Sequence, residues 1–231
     1  MKQKYSIPFI TAFSLAGILI FIVYNKQSSS QKLYTTHQST KIINDVYKDM
    51  SGFSIVEQER KTIEDAGGNA TYGEIKPESI AQLLHYLKFH YEDVFFDLGS
   101  GIGKACVQVV LTTPAKAVGI ELSDTRHHIA QKAKEELLTK NILIDTNKLL
   151  FFNENILNAD LSEGTVFFLC STCFSDELMF SITKKLAALN KMIRVATLRQ
   201  LADTGDFELI KTFNLPMTWS ASSSVYIYKR K

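Results

Sequence analysis

Apolar positions change their spacing along this chain in an order that spells out alternating strands and helices. Val94-Phe95-Phe96 is a short continuous apolar run, which suits a strand buried on both faces. The run ends at Asp97 and Leu98 and breaks into a glycine-rich turn. Ala105, Val107, Val109, Val110 and Leu111 then follow as in a buried helix. A second strand is predicted at Ala117-Val118-Gly119-Ile120, with Glu121 at its end. The segment 124–140 reads as a long amphipathic helix carrying Ile129, Ala133, Leu137 and Leu138 on one side. Further strands are expected at 149–152, 165–169 and 192–197, with a helix at 176–189. Segments 207–213 and 225–228 form a closing antiparallel pair. Ahead of all this, Ile42, Ile43, Val46, Tyr47 and Met50 recur at helical spacing over 39–50, a second helix fits 54–66, and a third fits 79–89 with Pro77 in its first turn. Five strands separated by helices, then two strands with none between, predict a doubly wound α/β sheet of seven strands, mostly parallel with an antiparallel edge.

The amino terminus follows a different pattern. Residues 7–24 are an uncharged apolar run of 18 residues, just enough to span a bilayer core as a helix, with Lys2 and Lys4 before it and Lys26 and Lys32 after. A signal peptide shares the basic start and apolar core, but Asn25-Lys26-Gln27 offers no small-residue cleavage site. A buried core helix would need something N-terminal to wrap it. We therefore expect an uncleaved anchor over 1–27. Ser28-Ser29-Ser30-Gln31 opens a polar linker.

Composition adds exclusions. At 231 residues one domain with its own core is expected. A net charge of +2, from 26 basic and 24 acidic residues, carries no overall field for nucleic acid. Three cysteines do not make a disulfide scaffold. Cys170 and Cys173 form one C-x-x-C without the second pair or histidines of a zinc site, so no metal is expected, and free thiols in a reducing compartment are the plain reading.

The chemistry lies in the turn 99–104. Its spacing is G-x-G-x-G followed by Lys104, with no G-K-[ST] ending, so it is not a phosphate-cradling P-loop. Glycines there let the backbone approach a ligand closely. An acid at the end of the second strand, Glu121, can accept hydrogen bonds from both ribose hydroxyls of a nucleoside. The alternative is a glycine-rich turn with no ligand. Asp97, the turn and Glu121 together resemble the S-adenosylmethionine site of class I (Rossmann-like) methyltransferases.

Four segments together resemble the Dot-one family of lysine methyltransferases (disruptor of telomeric silencing): Tyr72-Gly73-Glu74, the run 96–103, Val118-Gly119-Ile120-Glu121, and Trp219 followed seven residues on by Tyr226. The likeness spans roughly 68–229. It implies a class I methyltransferase domain over 67–231, preceded by a linker and helical extension over 28–66. It also implies S-adenosylmethionine as cofactor and a protein lysine as acceptor. Tyr72 and Glu74 would cap the methionine end of the cofactor. Asp97, Gly99 and Gly101 would face its amino-acid part, Glu121 the ribose and Asn155 the adenine, with Ile156 also cofactor-binding. Phe174, Trp219 and Tyr226 would wall the lysine channel; core packing is the alternative for the aromatics. The sequence departs from the family where an Asn-Asn-Phe-Ala-Phe motif would stand: here it reads Cys170-Ser171-Thr172-Cys173-Phe174, placing Ser171 where an asparagine would contact cofactor. The basic DNA-binding segments are missing and an apolar run is added, so a histone acceptor does not follow. Expected is a single-pass membrane protein with its catalytic domain facing the cytosol. A small-molecule or lipid methyltransferase, or a binding module without turnover, remains open.

Overall fold

A computed structural model describes residues 31–231. The apolar run 7–24 and the anchor expected over 1–27 lie outside the described residues. Among the described residues, no helix is long and apolar enough to cross a membrane.

The elements in order are α1 (Thr36–Val46), α2 (Glu57–Asp65), α3 (Pro77–Tyr86), β1 (Val94–Leu98), α4 (Lys104–Thr112), β2 (Lys116–Glu121), α5 (Asp124–Thr139), β3 (Leu149–Asn153), β4 (Val166–Leu169), α6 (Asp176–Ala187), β5 (Arg194–Thr197), β6 (Phe207–Leu215) and β7 (Ser223–Arg230). They build one seven-stranded sheet in the order β3-β2-β1-β4-β5-β7-β6. The first five strands are parallel, and β7 runs antiparallel to both β5 and β6. The expected mostly parallel sheet with an antiparallel edge is what forms.

Alternation along the strands explains the three layers. Phe95 and Phe168 turn to one face of the sheet, where they pack with Ile43 of α1, Leu83 of α3, Val107 and Val110 of α4, and Leu137 of α5. Phe96 and Phe167 turn to the other, against Leu178, Met179, Ile182 and Leu186 of α6. Each fully buried side chain of this size contributes roughly 1.5–3 kcal/mol relative to exposure. Both faces of β1 and β4 are covered, which is why their sequences read as unbroken apolar runs.

Two local differences have physical reasons. The first helix begins earlier than its apolar spacing suggests, because Thr35 and Gln38 form a reciprocal capping box. No helix separates β3 from β4, although helices were expected between all five parallel strands. Asn155 Oδ1 accepts the Leu157 N–H and Asp160 Oδ1 accepts the Ser162 N–H, and these side-chain-to-backbone turns replace helical bonding.

The topology fixes where a ligand can sit. The order reverses at β1, which has β2 on one side and β4 on the other, and α4 and α6 cover opposite faces. In open α/β sheets that reversal leaves a crevice at the carboxyl ends of the strands. The helical extension is tied to its floor. Buried Tyr47, just beyond α1, donates its hydroxyl to Ile102 O at 2.8 Å. Tyr47→Phe removes that bond and is expected to lower stability by about 1–2 kcal/mol, read as a drop in urea midpoint with an unchanged slope.

Candidate functional site

A cavity of about 330 Å³ opens at the carboxyl ends of β1 and β2, within the range of small-molecule sites. Its floor is the turn between β1 and α4. Gly99 N–H and Ser100 N–H both donate to Ile120 O, at 2.9 and 3.0 Å, which pins the turn to β2. Gly101 has φ +55°, and a Cβ there would stand 2.6 Å from Tyr72 Cε2. The turn needs glycine at this position both for its dihedral and for the ring lying on it.

Two acids meet at this turn. Glu121 is buried; its Oε2 accepts the Gly101 N–H at 2.7 Å and its Oε1 the Ser123 N–H at 2.8 Å. It thereby clamps the β1–α4 and β2–α5 loops together. Burial raises its carboxyl above the usual range, against the pull of these N–H donors and of Arg126. Each carboxylate oxygen keeps acceptor capacity for a further hydroxyl. Asp97 lines the same cavity, and its Oδ1 is buried with no hydrogen-bond partner among the described residues. Burial, and then the charge of Glu121, push its carboxyl well above the usual aspartate range. An orphaned buried acceptor in a cavity wall is what a cationic or N–H-bearing ligand would satisfy, so these acceptors fit a ligand with a ribose and an ammonium group.

The raised carboxyl has a stability consequence. A carboxyl whose folded pKa lies above its unfolded value binds more protons in the native state. Stability is therefore lost as pH rises from about the unfolded value through the folded one. Asp97→Asn removes this pH dependence. The ligand-free variant is expected to melt higher than the parent at pH 8, with the difference shrinking as pH falls towards 4, by scanning calorimetry.

Above the floor lies the loop Tyr72-Gly73-Glu74. Tyr72 Oη donates to Glu74 Oε1 at 2.8 Å, and Lys104 Nζ meets Glu74 Oε2 at 2.9 Å. The Arg126 guanidinium stacks 4.8 Å from the centre of the Tyr72 ring, and Phe53 meets that ring edge-on at 5.2 Å. The loop is sewn to the β6–β7 connection: Glu74 N–H donates to Thr218 Oγ1, Thr218 N–H donates to Glu74 O, both at 2.9 Å, and Ile75 pairs with Met217. Trp219 packs on the backbone of Gly73, where a Cβ would collide with its ring.

Of the residues expected at the site, Tyr72, Glu74, Asp97, Gly99, Gly101, Glu121, Asn155, Ile156, Phe174 and Trp219 all line this cavity. Ser171 and Tyr226 do not. Ser171 is buried in a single 3₁₀ turn (Ser171–Cys173), bonded to Thr197 Oγ1 at 2.8 Å and accepting the Arg199 N–H at 3.0 Å. It ties β4 to β5, while Cys170, Thr172 and Cys173 form the wall. Tyr226 lies on the face of the sheet opposite Val225 and Ile227, packed in the same cluster as Phe174 and Ile156 but not itself lining the cavity.

Four contributors were not expected. Ile63 and Ala66, at the end of α2, line the cavity, so the extension supplies part of its wall. Arg126 is buried, donating to Gly52 O at 3.0 Å and Ala70 O at 2.7 Å. Its partners lie 74 and 56 residues away, so no local pattern marks it. Lys104 stood out only as the residue after the glycines.

Comparison with known proteins extends this picture. Solved structures share the fold. An RNA methyltransferase from Salinibacter ruber in complex with S-adenosyl-L-homocysteine aligns over 66% of this chain and 90% of its own, at TM-score 0.54 and 20% identity. Magnesium protoporphyrin IX methyltransferase from Synechocystis PCC 6803 aligns over 84% and 97%, at 0.51 and 13%. The sheet is thus the class I methyltransferase sheet. Curated relatives are named histone-lysine N-methyltransferase, H3 lysine-79 specific. The protein from Dictyostelium discoideum is 29% identical over 138 residues, 56% of this chain and 8% of its own length. The one from Caenorhabditis elegans is 29% identical over 176 residues, 66% and 19%. The chain thus spans less than a fifth of the length of either relative. The family model described as histone methylation protein DOT1 matches residues 53–215, which takes in the turn, both acids and the capping loop, and the chain belongs to that DOT1 family.

Proposed function

We propose that the protein is an S-adenosylmethionine-dependent protein-lysine N-methyltransferase. The observation that carries this reading is the convergence of Asp97 and Glu121 on one cavity roofed by Tyr72-Gly73-Glu74. S-adenosylmethionine supplies an electrophilic methyl group on a sulfonium. The chain's residues would hold it and prepare the acceptor. Glu121 meets the ribose hydroxyls with its remaining acceptor capacity, Asp97 Oδ1 takes the ammonium of the amino-acid end, and Asn155 and Ile156 flank the base. The curated relatives' naming as histone-lysine methyltransferases supports lysine as the acceptor class.

A lysine attacks through a neutral amine, so it must shed a proton before the nitrogen can use its lone pair. Phe174 and the half-exposed Trp219 stand at the cavity wall. An apolar aromatic approach disfavours the ammonium form, and holding the nitrogen in line with the methyl supplies much of the acceleration by positioning alone. Tyr226 is left out of this channel because it does not line the cavity.

The reading extends to location. The uncharged run 7–24 supports a single membrane-spanning anchor, and the need for a cytosolic cofactor supports a catalytic domain facing the cytosol. The acceptor is then a lysine protein reachable from that membrane.

The test uses the full chain in detergent micelles with methyl-labelled S-adenosylmethionine and host lysate separated into protein, lipid and small-molecule fractions. Label is expected on protein lysines, located by mass spectrometry. Label confined to lipid or small molecules would replace the acceptor. Cofactor binding with no transfer to any fraction would make the protein a binding module.

A further inference from the structure

We propose that Cys170 and Cys173 form a dithiol–disulfide couple in the cavity wall, and that closing the disulfide weakens ligand binding in the cavity. The second half of the proposal rests on the S-adenosylmethionine reading above. Both thiols are free, and both line the cavity. The third cysteine, Cys106, is fully buried in α4 and takes no part.

The local backbone puts the two side chains together. Cys170 caps the single 3₁₀ turn Ser171–Cys173, and Cys173 is its last residue. Three residues of 3₁₀ helix advance about 6 Å and return to the same side of the axis, so side chains three apart eclipse. A disulfide asks for Cα atoms about 4.4–6.8 Å apart, so this bridge needs no rearrangement of the turn. The surroundings set the order of reaction. Loss of contact with water, then the charges of Asp97 and Cys173, push the Cys170 thiol up, which leaves little thiolate at neutral pH. Cys173 also lines a second, more open hollow with Asn69, Thr71 and Ser175. An oxidant therefore meets Cys173 first.

The oxidant is a small disulfide of the glutathione type. The Cys173 thiolate attacks one of its sulfurs, breaks the S–S bond and expels one glutathione thiolate. The Cys170 thiolate then attacks the Cys173 sulfur of the mixed disulfide, which forms the Cys170–Cys173 bond and expels the second glutathione thiolate. The two cysteine protons pass to the two expelled thiolates, and two electrons from the protein reduce the external disulfide. Closing the bond draws two atoms of the cavity wall into bonding distance. Ser171, between the cysteines, cannot follow. It is buried, bonded to Thr197 Oγ1 at 2.8 Å and to the Arg199 N–H at 3.0 Å. The movement therefore falls on Thr172 and Phe174, both in the cavity wall. Phe174 lies against the floor, where a Cβ on Gly99 would stand 3.1 Å from its Cζ. A shift of the turn is thus felt at the floor that a ligand would rest on.

The test equilibrates the full chain in detergent over a series of glutathione ratios. Intact-mass spectrometry should show a loss of about 2 Da at the oxidising end that is restored at the reducing end, and no such loss in Cys170→Ser or Cys173→Ser. Calorimetric titration should show S-adenosylhomocysteine binding about tenfold more weakly to the oxidised parent than to the reduced one, while Cys173→Ser binds with one affinity in both buffers. Linkage then requires saturating S-adenosylhomocysteine to raise the midpoint potential of the couple by about 30 mV, the same tenfold read from the other side. No loss of mass at the most oxidising ratio, or glutathione left attached at Cys173, would overturn the couple. An unchanged affinity in the disulfide form would overturn its effect on the ligand. A reduced parent that fails to bind S-adenosylhomocysteine would strike the cofactor reading instead, while the mass change would still decide the couple.

Discussion

Glu121→Ala is expected to abolish measurable cofactor binding, a loss of at least a hundredfold by calorimetry with S-adenosylhomocysteine. The carboxylate has two tasks that no other side chain shares. It accepts backbone N–H groups from the two loops that frame the cavity, Gly101 at 2.7 Å and Ser123 at 2.8 Å. In the proposed complex it also accepts the ribose hydroxyls. Hydrogen bonds to a charged group are worth about 1.5–3 kcal/mol each, so losing two to the ligand alone costs hundredfold or more. Alanine also lets the turn drift from β2, so the ligand would meet a floor no longer fixed. Global stability should change far less than affinity. The variant strands two N–H groups but also removes a buried carboxyl that burial already pushes towards its neutral form. Glu121→Gln keeps the volume and one acceptor oxygen while turning an NH₂ towards one of the N–H donors. It should bind weakly, between the parent and the alanine variant. Retained full affinity in Glu121→Ala would remove the ribose assignment.

What could be read from the sequence follows from how each residue gets its partners. β1, the turn and β2 are contiguous, and their apolar runs have only one way to be buried, so Asp97, Gly101 and Glu121 were placed by position. The Tyr72-Gly73-Glu74 loop was recognised as a motif, but its clamp to Thr218 bridges 144 residues and leaves no periodic trace. Ser171 and its cavity-lining neighbours differ by one position within a single 3₁₀ turn, where adjacent side chains diverge by about a third of a turn. Tyr226 was expected at the site from the family resemblance; strand alternation decides which face its ring takes, and that depends on the pairing of β7 between β5 and β6. Arg126 reaches the site from α5, whose apolar pattern is met by Ala130, Ala133 and Leu137, and Ile63 is the single buried residue of α2, too few to mark a face in the sequence.

Gly101→Ala carries the second large effect because it tests the roof through the floor. With φ at +55°, alanine pays the left-handed penalty of roughly 1–2 kcal/mol. The new Cβ would also lie 2.6 Å from Tyr72 Cε2 and 3.1 Å from its hydroxyl. The ring cannot slide freely: Glu74 holds its hydroxyl, Arg126 stacks on its face and Phe53 meets its edge. Relieving the contact must therefore shift the whole capping loop, including the carboxylate that pairs with Lys104. Overpacking of this kind adds about 1–3 kcal/mol, so a total loss near 3 kcal/mol is expected in denaturant unfolding, with methyl transfer down at least tenfold. The double variant Gly101→Ala/Tyr72→Ala separates the two causes. Without the ring the clash disappears and only the backbone strain remains, so the glycine substitution should cost 1–2 kcal/mol less in the Tyr72→Ala background than alone. Strict additivity would mean that ring and turn do not press on each other, and that the glycine serves the backbone rather than the lid.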